Sequence, residues 1–168
     1  AWSQFPAGKW DNVPLSDETH ASMNHNRREV PWALEQTPMP ASGSDVGSAG
    51  VQGGIVTIDT VDMLAREIGF DARYQLNIPQ SDTGVWTLSR DSMNTDSTNP
   101  MSDRTVHIDQ YTGKVLADVR FEEYSLAGKA MAVGIALHMG TLGFWSVLAN
   151  SIVCLSVLFL CASSVVLW

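Results

Sequence analysis

Apolar and polar positions follow three different rhythms along this chain. In "TIDTVDMLAREIGF", residues 57–70, Val61, Leu64, Ala65 and Ile68 recur at i, i+3, i+4 and i+7, the period of a helix with one apolar face. Asp59 or Thr60 can cap its start, and Gly69 suits the position just past its end. A period near two follows in "ARYQLNIP" (72–79), "GVWTLSR" (84–90), "RTVHID" (104–109) and "KVLADVRF" (114–121), which predicts strands. "QYTG" joins the last two as a tight turn whose Gly113 takes positive φ, and the polar stretch 91–103 is a loop. The prediction is an α+β module, one helix on a small antiparallel sheet, over residues 55–124, with the thin core expected at that size. His107 alternates with Val106 and Ile108, so it is expected to face away from the core as a solvated residue.

The third rhythm is the loss of polarity itself. From Ala130 to Trp168 there is no Asp, Glu, Lys or Arg. Residues 146–168 would run roughly 34 Å as a helix at about 1.5 Å per residue, against a hydrocarbon core of about 30 Å. A single span must satisfy its backbone internally, which leaves only the helix. An apolar helix beginning at Leu126 leads into this transmembrane helix. Gly128, Ala132, Ala136 and Gly140 recur at spacing four, a stripe that lets another helix approach closely, with the companion helices expected from missing parts of the chain or another subunit.

Ahead of the module the patterning fades. Residues 1–36 read as an extended, irregular segment. Trp2, Phe5 and Trp10 suit either an interfacial belt closing an earlier, missing span or an irregular terminus with three aromatics. Residues 37–54 are rich in Pro, Gly and Ser and read as a linker. The expected organisation is therefore 1–36 irregular, 37–54 linker, 55–124 module and 125–168 membrane segment, a fragment of a longer membrane protein.

Charge adds direction. All 18 acidic residues of the 168 lie at or before Glu123, and the net charge is −8, which excludes nucleic acid as a partner. Glu122, Glu123 and a lone Lys129 precede the span, so the cation rule places residues 1–125 outside the cytoplasm. Cys154 and Cys161 are seven apart in the span; they cannot bridge within a helix and read as packing residues.

One residue of the apolar tail can do chemistry. His138 lies in "GIALHMGTLGFW" (134–145), and an ionisable side chain in a membrane segment is a functional candidate by default. On an ideal helix Met131, Gly134, Leu142 and Trp145 share its face, and Gly134, one turn earlier, leaves room beside the imidazole for a flat macrocycle. Either the imidazole ligates haem iron or it is an interfacial histidine bonded to headgroups or a carbonyl. "THASMNH" gathers His20, Met23 and His25, which without a third strong ligand reads mainly as a loop carrying histidines, with a transient metal or siderophore contact as the sharper reading.

The order of these motifs resembles a known family. "IDTVDMLAREIGF" followed by "VHIDQYTGKVLADVRF", with its D-x-x-T-G-K-V-L element, is similar to a PepSY domain. "VPWALEQTPMP" is similar to the stretch before such a domain, and the tail with its L-H-x-G motif resembles the PepSY-associated transmembrane segment. The resemblance covers residues 30–168. It implies a cystatin-like fold for the module, a bacterial inner membrane with residues 1–125 in the periplasm, and iron uptake. It further implies haem b held by transmembrane histidines, here His138 with Gly134 beside it, in ferric-siderophore reduction. Missing transmembrane helices of the same protein, the membrane and a ferric siderophore are the implied partners. The alternative from another class is a non-enzymatic, membrane-anchored PepSY module that binds or regulates an envelope peptidase.

Overall fold

The computed structural model describes residues 13–24, 30–31, 34–52, 55–70, 73–92 and 96–168. Trp2, Phe5, Trp10 and His25, singled out above, lie outside these residues. The elements in chain order are β1 (Leu15–Thr19), β2 (Pro38–Pro40), α1 (Ile58–Glu67), β3 (Gln75–Asn77), β4 (Val85–Arg90), β5 (Arg104–Asp109), β6 (Val115–Arg120), α2 (Leu126–Met139) and α3 (Phe144–Leu167). Strands β3 to β6 form an antiparallel meander, and β1 pairs with β2 in a separate ribbon.

Helix α1 forms where the period predicts, two to three residues fuller at its start. Thr57, rather than Asp59 or Thr60, is the N-cap, and the Thr60 side chain bonds back to the Thr57 backbone in a reciprocal capping box. Gly69, at φ 91°, ends the helix in a conformation that a side chain would strain. Val61, Leu64 and Ala65 of α1 bury against Trp86, Leu88, Val106 and Ile108 of the sheet, with Phe70 closing the end. Arg104 lies over the Phe70 ring at 5.1 Å and pairs with Asp118 at 2.7 Å.

The opposite face of the sheet corrects the reading of His107. In register, Thr87 faces His107 and Ser89 faces Thr105, and all four are almost wholly buried. The residues before α1 lie across them. Met23, Val30, Leu34 and Met39 form a second core with Val85, Leu116, Val119, Phe121 and Tyr124. Leu116 reaches this face because the β5–β6 register shifts between His107 and Ile108, as a bulge reverses side-chain alternation. The sheet is thus buried on both faces, and His107 is fully enclosed.

Helix α2 packs against this second core through Ala132 and Val133. Its Gly128 and Ala136 are buried. The small-residue stripe is therefore occupied inside this chain, which corrects the expectation that it waits for outside helices. Helix α3 has 24 residues and a mean hydropathy of 2.2, long and apolar enough to cross a membrane. Its free cysteines, Cys154 and Cys161, are exposed.

Candidate functional site

Two sets of residues carry chemistry, one at the membrane and one in the domain. At the membrane, α2 ends after Met139, and Gly140 (φ 76°) and Gly143 (φ 82°) turn the chain into α3. This break separates Leu142 and Trp145 from the helix that carries His138, so those two do not share its helical face as an unbroken helix would require. His138 is exposed in the last turn of α2. Gly134, one turn before it, is also exposed, and a Cβ added there would meet nothing within 4 Å.

The end of α2 is tightly fixed. The Thr141 backbone and hydroxyl both donate to the carbonyl of Ala136 at 3.1 Å. The Ser146 hydroxyl donates to the carbonyl of Leu137 at 2.6 Å. The Asn150 amide donates to Leu137 at 2.8 Å and to His138 at 3.0 Å. Ser146 and Asn150 are one turn apart on α3 and converge on one carbonyl, so the tip of α2 abuts the side of α3. Carbonyls that would otherwise be orphaned at a helix end are satisfied without water, as a lipid environment demands.

In the domain, His20 and His107 meet. His20 opens a 3-10 turn, His20–Met23, at the end of β1, and the Nε2 atoms of the two rings are 2.9 Å apart. The network fixes the protons. His20 Nδ1 is 2.9 Å from the carbonyl of Thr37, which can only accept, so His20 carries its proton on Nδ1. His20 Nε2 is then an acceptor, His107 Nε2–H donates to it, and the hydroxyl of Thr87 donates to His107 Nδ1 at 2.9 Å. Thr37 completes the chain by donating its hydroxyl to the carbonyl of Leu34 at 2.7 Å. Burial lowers the pKa of His20 to about 4, opposed by its bond to Thr37. Burial and then His20 hold that of His107 well below the usual imidazole value.

A third polar group lies at the far end of the same face. Burial, reinforced by Asp91, raises the carboxyl of Asp103 to about 7, while the Ser92 amide donates to it at 2.8 Å. Among the described residues, no three or more His, Cys, Asp or Glu side chains gather into a metal-binding group.

Sequence reasoning singled out His138 and Gly134 as candidates and missed the pairing of His20 with His107. A faint signal existed. The run Thr87, Ser89, Thr105, His107 on one sheet face carries no Asp, Glu, Lys or Arg, and Val30, Leu34 and Met39 upstream needed something to cover.

The comparisons with known proteins bear on most of the chain. The family model of the PepSY-associated TM region matches residues 10–168. No curated protein and no solved structure matches. The chain belongs to the family of the PepSY-associated transmembrane region, and it is a membrane protein.

Proposed function

We propose that this member of the PepSY-associated transmembrane family is the membrane-anchored part of a haem-carrying electron-transfer protein that reduces ferric siderophores in iron uptake. His138 would hold its haem iron. The observation that carries the reading is the setting of that imidazole: it projects from an apolar helix, exposed, beside a glycine with open space around it. A polar side chain in such a place calls for a partner. The residues fit a flat macrocycle on one side, since Gly134 leaves the approach to the ring clear. Bound haem supplies one-electron chemistry, its potential set by the axial ligands.

The work of the chain itself is to hold the ligand. Asn150 and Ser146 clamp the carbonyls of residues 137 and 138, so the backbone bearing the imidazole is braced against α3. Residues 130–168 contain no second histidine, so any second histidine ligand would come from outside α2 and α3. The acidic approach to the span supports a bacterial inner membrane with residues 1–125 in the periplasm.

The test is the visible spectrum of the full-length protein in detergent. A haem spectrum is expected, lost or shifted in His138→Ala with membrane insertion intact. A wild-type spectrum in that variant overturns the assignment of His138. A colourless wild-type protein overturns the whole reading and leaves a membrane-anchored PepSY module that binds an envelope peptidase.

A further inference from the structure

We infer that the outward stripe of α2, Leu126, Ala130 and Leu137, is a lipid-binding surface: the helix lies along the headgroup layer of the membrane that α3 crosses, with the domain seated on its other side. The inference rests on the chain being a membrane protein and not on the haem reading.

The direction of α2 follows from what holds its tip. The last carbonyls of a helix point along its axis. Those of Leu137 and His138 are met by the Ser146 hydroxyl and the Asn150 amide, which project from the flank of α3 one turn apart. The axis of α2 therefore runs into the side of α3 instead of along it. Beyond that contact the two helices part, since Ser146 is the one buried residue of α3 and the apolar stretch of the span is uncovered. With α3 crossing the bilayer, the 14 residues of α2 run near the membrane plane for about 21 Å.

The depth of α2 follows from the same two donors. The span begins at Phe144, and Ser146 and Asn150 stand about 3 and about 9 Å along it. Helices that lie in the plane of a membrane settle with their apolar face about 5–10 Å into the boundary between headgroups and acyl chains.

The side chains suit that place. Gly128 and Ala136 are buried, and Ala132 packs on the domain core. Leu126, Ala130 and Leu137 lie round the other side of the helix and are exposed, Leu126 by 87%. Their stripe carries no charge and leads through Leu142 to Trp145, both exposed, and tryptophan collects at membrane surfaces. Lys129 is the one Lys, Arg, Asp or Glu of α2. Its ammonium donates to the carbonyl of Glu122 at 2.6 Å, back toward the domain. In the headgroup layer, the stripe is removed from water together with the apolar surface of α3 that it adjoins. Gly134 and His138 lie to one side of the stripe, so lipid contact leaves the approach to the imidazole open.

The test is the collision accessibility of a nitroxide spin label on the chain in phosphatidylcholine nanodiscs. Cys154→Ala and Cys161→Ala are included throughout, because those exposed thiols would take the label. A label on Ala130→Cys should collide more with dissolved oxygen, which concentrates in lipid, than with a water-soluble nickel chelate. Met63→Cys, at an exposed position of α1, should show the reverse, so that the ratio of oxygen to nickel collisions is several-fold higher at residue 130. The proposal is overturned if the two labels give the same ratio, which would put the stripe in water. It is equally overturned if the label at residue 130 collides with neither reagent, because another helix or a second copy of the chain then covers the stripe. Leu137→Cys gives the same reading where Ala130→Cys fails to fold.

Discussion

The two faces of the four-stranded sheet are built from alternate residues of the same strands, yet they are held by different physics. Toward α1, Trp86, Leu88, Val106 and Ile108 meet Val61, Leu64 and Phe70, and stability comes from apolar area removed from water. Toward the upstream layer, Thr87, Ser89, Thr105 and His107 are just as buried, and Thr87 and His107 depend on a directed chain of hydrogen bonds through His20 and Thr37. An apolar face tolerates any pH. A polar buried face does not, because each group must keep the protonation state its partners require.

The largest effect should come from breaking the apolar face. Phe70 is fully buried, and Phe70→Ala should cost about 3–5 kcal/mol at every pH, read as a lowered denaturation midpoint. Equal stability would mean that α1 does not seal the sheet.

Next is the pH response of the polar face. His20 and His107 have lowered folded pKa values, so their contribution is complete above about pH 6.5 and is lost as the pH falls toward about 4. His20 alone accounts for about 3 kcal/mol across that window. Asp103 has the opposite sign. Its raised folded pKa of about 7 means stability that is complete below the usual carboxylate range and lost as pH rises toward 7. The wild-type profile is therefore flattened between these limits, and substitution separates the parts. His20→Gln with His107→Gln should be less stable than wild type at pH 7 and lose less on acidification. Asp103→Asn should be more stable than wild type at pH 8 while keeping an acceptor for the Ser92 amide. A double-glutamine variant that loses as much stability as wild type between pH 6.5 and 4 would show that the imidazoles do not stay neutral in the fold.

The smallest effect tests the α1 side again. Thr57→Ala removes the capping box and should cost about 1 kcal/mol without altering the pH profile, since its capping bonds run to Thr60, which does not titrate. A change in the profile would mean that the two faces are coupled through the helix.

Why only one of these faces was legible follows from their chemistry. Helix α1, strands β4 to β6 and the span are written in periods, and the observed β5, Arg104–Asp109, coincides with the predicted 104–109. Strand β3 is shorter than the predicted 72–79. His107 was read as solvated because a polar residue at every second position looks the same whether water or protein covers it. The covering layer has no period: Met23, Val30, Leu34 and Met39 are scattered among prolines and polar residues, and the β1–β2 ribbon it contains has a register shift. His138 drew notice as a candidate because an imidazole stands out in an apolar run. The break at Gly140–Gly143 did not, although two glycines three apart carried the information.

The clamp between α2 and α3 has a mechanical meaning. Ala132 and Val133 fasten α2 to the domain core, while Asn150 and Ser146 fasten its tip to the span. The domain is thus mounted on its anchor by a bracket, not hung from a tether. Its height above the bilayer and the direction in which it faces follow the tilt of α3, so a rotation of the span within the membrane is expected to turn the domain with it.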